Sequence, residues 1–142
     1  MSFDYKKQPG LKLWNKPVKK DETPLISIIT AFYNAGKYFE QTYNCVMNQT
    51  FPWFEWIIVD DGSTDENSME LLSKLAMSDT RIRIIHQENR GASAARNTGV
   101  VAAKTELIFP LDSDDLIEPT CLEYEYWSLH FNPLATWSYA DS

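Results

Sequence analysis

Among 142 residues there are five glycines, two cysteines and two histidines, and each scarcity excludes something. No G-x-G-x-x-G and no glycine-rich Walker loop follows the first strand-like run, so a phosphate would not be cradled by backbone amides in the familiar ways. Cys45 and Cys121 stand far apart, with no His or Cys at metal-ligand spacing, which reads as two packed, reduced thiols rather than a disulfide or zinc site. No apolar run approaches the length needed to cross a bilayer, and Met1 to Lys7 lead into no signal-peptide core. Repeats and low-complexity tracts are absent too. The expectation is a soluble, cytoplasmic protein.

What is present is a globular composition, 44% hydrophobic with 13% aromatic residues, in a length that suits one domain with its own core. Net charge is −7, from 13 basic and 20 acidic residues, but the charges are unevenly placed. Lys6, Lys7, Lys12, Lys16, Lys19 and Lys20 fall in residues 1–22, opposed before Asp21 only by Asp4. This Lys-rich N-terminal extension, with Phe3, Tyr5, Leu11, Leu13 and Trp14 interleaved, suits a solvated arm, or peripheral contact with an anionic membrane or a partner. The body, residues 23–142, is strongly acidic and unsuited to nucleic acid.

From Thr23 onward, strand-like and helix-like segments alternate. Leu25 to Thr30 is a short β-branched run introduced by Pro24 and expected to end near Ala31. Phe39, Tyr43, Val46 and Met47 recur at helical spacing as far as Gln49. Phe54 to Val59 reads as a second strand, and Ser63-Thr64-Asp65-Glu66 has capping-box spacing ahead of Met69, Leu72 and Leu75. Arg83 to His86, a small-residue helix over Ala92 to Ala103, and Glu106 to Leu111 follow. Pro119 opens a helix to about Phe131, and Ala135 to Tyr139 reads as a fifth strand. The tryptophans in or beside these elements, Trp53, Trp56, Trp127 and Trp137, read as core. His86 and His130 read as structural or exposed. The βαβαβαβαβ order predicts an α/β fold: a Rossmann-like, three-layer α/β/α sandwich with a mostly parallel central sheet.

Ligands of such sheets bind beyond the carboxyl ends of the strands. Three polar clusters are expected at that edge: Tyr33-Asn34, Asp60-Asp61-Gly62-Ser63 and Asp112-Ser113-Asp114-Asp115. Carboxylates this dense repel one another unless a cation or hydrogen-bonding ligand compensates. Acidic loops cannot hold a phosphate directly, so a nucleotide diphosphate here would need a divalent cation between carboxylate and phosphate.

Five segments in order carry a resemblance: Ile26 to Asn34, Asn48-Gln49-Thr50, Ile58 to Asp65, Asn89 to Asn97, and Asp112 to Asp115. Together, from about Leu25 to Pro119, they resemble the family 2 glycosyltransferases of the GT-A fold. The resemblance implies transfer of a sugar, with inversion, from a nucleotide diphosphate donor, most simply a UDP-sugar, to a sugar, lipid-linked or protein acceptor. It implies that Asp61, with Asp60 beside it, accepts a hydrogen bond from the pyrimidine, and that Tyr33 packs by the base. Asp112 and Asp114 match the ends of the D-x-D motif, with Ser113 between them. Asp112 would face the donor ribose or sugar, and Asp114 would ligate Mn²⁺ or Mg²⁺, with Asp115 an outer or alternate ligand. Arg96 would reach the donor, or else pair with a surface carboxylate. Ala31, standing where the family often has Pro, a departure read as neutral, would line the donor site together with Ser113.

No general base is identified, and the chain ends just past the expected fifth strand. The reading is therefore of a donor-binding half, truncated, with the base beyond Ser142. One rival is a module that binds a nucleotide sugar without turnover. Another is a phosphoacceptor receiver domain, disfavoured because the acidic pair follows strand two and the Lys-bearing loop is missing.

Overall fold

A computed structural model describes residues 23–138. Eight elements alternate along it: β1 (Ile26–Phe32), α1 (Phe39–Met47), β2 (Phe54–Asp60), α2 (Glu66–Ser78), β3 (Ile82–His86), α3 (Ala92–Ala102), β4 (Leu107–Pro110) and α4 (Cys121–Phe131). The strands form one parallel sheet in the order β3-β2-β1-β4. The Lys-rich segment 1–22 lies outside the described residues.

The two central strands are buried on both faces, which is why they read as continuous apolar runs rather than alternating ones. Alternate side chains nevertheless go to different partners. Ile26, Ile28 and Phe32 of β1, with Phe54, Trp56 and Ile58 of β2, join Phe39 and Val46 of α1, Leu72 and Leu75 of α2, and Leu122 of α4. Trp56 stacks on Phe39 at 5.4 Å between ring centroids, and its indole N–H is satisfied by Thr30 Oγ1 at 2.9 Å. On the other face Ile29, Ile57 and Val59 pack against Ala95 of α3. Gly99 makes that contact close: a Cβ there would lie 2.4 Å from Ile29 Cγ2.

Right-handed crossovers explain the layering. The chain steps from β1 to β2 to β3 in one direction, which puts α1 and α2 on one face. It then crosses back past β1 to β4, which puts α3 on the opposite face. The reversal leaves the carboxyl ends of β1 and β4 side by side as the switch point of the sheet.

Three expectations are corrected. Asp65, not Ser63, is the N-cap of α2, accepting from Ser68 N–H at 2.8 Å; Ser63 and Thr64 are engaged instead by the loop after β1. The segment 135–138 is not a strand. Ala135 N–H turns back to Asn132 O at 2.8 Å, and Ser138 Oγ bonds Glu125 of α4, so the chain follows α4 instead of laddering onto β4. Tyr139, the end of that expected strand, is outside the described residues. Trp137, expected in the core, is 71% exposed.

Candidate functional site

At the switch point lies an open cavity of about 450 Å³. The end of β1 supplies Ala31, Phe32 and Tyr33; the loop after β2 supplies Asp61; the entrance to α3 supplies Asn89, Gly91, Ala92 and Arg96; the loop after β4 supplies Asp112, Ser113 and Asp114. Seven sequence-predicted residues thus share one wall: Ala31, Tyr33, Asp61, Arg96, Asp112, Ser113 and Asp114. Asp60 and Asp115 are placed elsewhere.

Asp61 is buried, yet its carboxylate is heavily solvated by protein. Oδ1 accepts from Gln87 Nε2 at 2.7 Å and from Arg90 N–H at 2.9 Å; Oδ2 accepts from Gly91 N–H at 2.8 Å. The two backbone donors belong to the turn that opens α3, where the helix dipole also favours negative charge. Burial pushes the Asp61 pKa up, but the hydrogen bonds from Arg90, Gln87 and Gly91, with the Arg90 charge, outweigh it and hold the carboxyl below its ordinary 3.8. A carboxylate offers about four acceptor positions, so roughly one remains, on Oδ2.

Asp60 lies one residue earlier, on β2, and its alternate side of the strand sends it away from the cavity. It accepts from Ser63 N–H at 3.0 Å and pairs with His86 Nδ1 at 2.9 Å, its register neighbour on β3. It shapes the loop that presents Asp61. Asn34, at a left-handed φ of 48°, tightens the same loop: its side-chain oxygen accepts from Thr64 and Asp65 N–H at 2.8 and 3.1 Å. Gly62 is required twice over, by φ +79° and by Asn89 N, which a Cβ would approach to 3.0 Å.

The loop after β4 has the opposite character. Asp112, Asp114 and Asp115 are exposed. Asp112 Oδ1 meets Arg96 Nη2 at 2.6 Å, so the surface carboxylate that pairs with Arg96 is itself in the acidic motif. Asp115 does not line the cavity; its N–H donates to Asp112 O at 3.2 Å and closes the turn. Its adjacency to Asp114 in sequence becomes divergence in space.

Among the described residues no three His, Cys, Asp or Glu side chains form a ready cation cage. The wall itself carries three carboxylates, Asp61, Asp112 and Asp114, against one guanidinium, Arg96. These are hard oxygen donors, too few to enclose an ion and too negative to admit a diphosphate alone. That donor set fits Mg²⁺ or Mn²⁺, which is commonly held by one or two carboxylates with phosphate oxygens completing the shell.

Sequence reasoning gave no role to Gln87, Arg90, Asn89 or Gly91, although three of these lie in a segment it singled out. A carboxylate next to a glycine-opened helix was the available signal. Nothing local marks Gln87, whose Oε1 also accepts from Thr98 Oγ1 at 2.7 Å and so ties Asp61 to α3.

The family model "Glycosyl transferase family 2" matches residues 27–133. Glycosyltransferase GlyG of Streptococcus pneumoniae is 44% identical over 103 residues, which are 72% of this chain and 34% of that protein. The structure of S. aureus TarS 1-349 in complex with UDP-GlcNAc superposes with a TM-score of 0.69 at 28% identity, over 75% of this chain and 31% of that one. A mannosyltransferase of Pyrobaculum calidifontis, PcManGT in complex with GDP-Man and Mn²⁺, shares the fold at a TM-score of 0.61 and 24% identity, over 80% of this chain and 34% of that one. The chain spans about a third of the length of each.

Proposed function

The chain belongs to glycosyl transferase family 2, and from that premise we propose that residues 23–138 bind the nucleoside diphosphate sugar for an inverting, cation-assisted transfer to an acceptor hydroxyl. The observation that carries this is the meeting of Asp61 with Asp112 and Asp114 around one cavity at the switch of the sheet. Support comes from the likeness to TarS, whose structure holds UDP-GlcNAc, and from the GDP-Man and Mn²⁺ in PcManGT.

In this reading the remaining acceptor position on Asp61 takes an N–H of the base. Because Asp61 is kept ionised and immobile by Gln87, Arg90 and Gly91, that bond is charge-assisted and its direction is fixed before the ligand arrives. The half-exposed Tyr33 ring stands on the same wall and packs against the base. The Arg96–Asp112 pair holds the guanidinium at the acidic loop, where it orients the ribose or sugar. Asp114 would ligate Mn²⁺ or Mg²⁺. Such an ion, when bound, stabilises the negative charge that develops on the departing diphosphate. Binding the donor in this way presents the anomeric carbon to an acceptor from the open side, for attack with inversion.

Titration calorimetry tests the proposal. UDP is expected to bind in Mn²⁺ and at least about tenfold more weakly in EDTA, since the acidic wall repels an uncompensated diphosphate. Equal affinity in the two buffers removes the cation from the mechanism. No binding in either removes the donor site.

A further inference from the structure

Thr42 has no place in the donor cavity, yet it is the point at which α1 touches the acidic loop. It is fully buried, and its Oγ1 lies 3.0 Å from Ser113 O and 2.9 Å from Asp115 O. These carbonyls flank Asp114. A threonine inside a helix ordinarily returns its hydroxyl proton to its own preceding turn; this one donates outward, across 71 and 73 positions of sequence.

Further along the same helix axis, Gln49 Nε2 donates to Glu118 O at 2.7 Å and Oε1 accepts from Leu122 N–H at 3.1 Å. Thr50 N–H donates to Pro119 O at 2.8 Å. The Gln49-Thr50 dipeptide, conspicuous in the sequence but without chemistry of its own, therefore fastens the outgoing end of the loop. Thr42 fastens its middle. Between the two anchors the backbone is held while the carboxylates remain exposed.

We propose that Thr42 is a positioning residue for the acidic loop: by donating to the carbonyls on either side of Asp114, it holds that carboxylate at the cavity wall for cation ligation. The inference rests on the reading of Asp114 as the ligand of the donor's cation. Its physical basis is that three neighbouring exposed carboxylates repel one another and the loop has no apolar side chain between Asp112 and Asp115 to bury. One buried hydroxyl supplies the tether. Replacing it with a methyl group leaves Ser113 O and Asp115 O seeking water, which they reach only if the loop lifts.

The experiment compares wild type with Thr42→Val, which preserves shape, and with Thr42→Ser, which preserves the hydroxyl. UDP affinity is measured in Mn²⁺ and in EDTA, and amide exchange is followed over residues 112–118. Thr42→Val is expected to weaken the Mn²⁺-dependent affinity about tenfold, the lower end of the effect of removing an outer support of a metal ligand. Affinity in EDTA should stay the same, exchange should quicken in the loop but not in β1 or β2, and Thr42→Ser should restore both. A Thr42→Val protein that matches wild type in affinity and exchange overturns the proposal. So does one that loses affinity equally in both buffers, which marks a merely structural role. If Thr42→Val does not fold, Thr42→Ala carries the same readouts. Should wild type bind UDP with indifference to Mn²⁺, the reading of Asp114 fails on its own, and loop exchange still decides whether Thr42 is the tether.

Discussion

Two acidic loops line the same cavity and solve opposite problems. The loop after β2 is finished in the absence of ligand: Asp61 is buried and accepts three protein donors, while Asp60 is committed to Ser63 and His86. The loop after β4 is finished only in its backbone. Its carbonyls are tied to Thr42, but its carboxylates are exposed, and among the described residues only Asp112 of the three has an ion-pair partner. The lesson is that identical residue types serve stability in one place and leave it for binding in the other. The difference is set by the number of donors that the fold directs at each carboxylate.

Substituting each loop's key aspartate with its amide separates the two roles. Asp61→Asn should lower stability by about 3 kcal/mol, because it removes charge from several hydrogen bonds to a buried side chain and turns an amide NH₂ toward the Gly91 N–H. Chemical denaturation reads this directly, and a loss below 1 kcal/mol would show that the loop is less dependent on Asp61 than its contacts imply. Asp114→Asn should change stability by no more than about 0.5 kcal/mol, as for other exposed positions. Its effect belongs to ligand binding, where the enhancement of UDP affinity by Mn²⁺ should disappear in calorimetry. If Asp61→Asn abolished the Mn²⁺ effect and Asp114→Asn did not, the roles of the two loops would be exchanged.

Acid sharpens the contrast further. The folded-state pKa of Asp61 lies below its ordinary 3.8, so its stabilising contribution is complete above that value and is lost as pH falls through the lower, folded value. The stability gap between wild type and Asp61→Asn should be constant at neutral pH and close only below about 3.8. A gap that begins to close near neutrality would contradict the hydrogen-bonded, ionised carboxylate. Only a small effect is expected at His86, whose side chain is 68% exposed. His86→Ala should cost no more than about 1 kcal/mol, typical of an exposed pair. A larger loss would mean that Asp60 depends on that ring to shape the loop.

Much of this was legible in the sequence for a local reason. Apolar runs of strand length, a helical spacing of Phe39, Tyr43, Val46 and Met47, and polar clusters at the ends of strands are one-dimensional patterns that survive in the fold. The capping-box spacing puts the cap of α2 two residues too early because Ser63 and Asp65 both suit an N-cap, and only the distant Asn34 side chain decides between them. The expected strand over 135–139 had suitable residues, but pairing is a contest between neighbours; over 135–138, α4 and the turn at Asn132 prevail.

By itself, the sequence determined the alternation of strands and helices, the acidic loops at the carboxyl edge of a parallel sheet, and the family. Periodicity and motif spacing are properties of neighbouring residues, so they need no third dimension. Only the tertiary structure decided that adjacent Asp60 and Asp61 turn to different partners, that Arg96 pairs with Asp112, and that Thr42 lies beneath Asp114. Those outcomes depend on donors and acceptors brought together from 16 to 73 positions apart. Which of them meet is set by the direction of each crossover and by how closely α1 and α3 pack on the sheet.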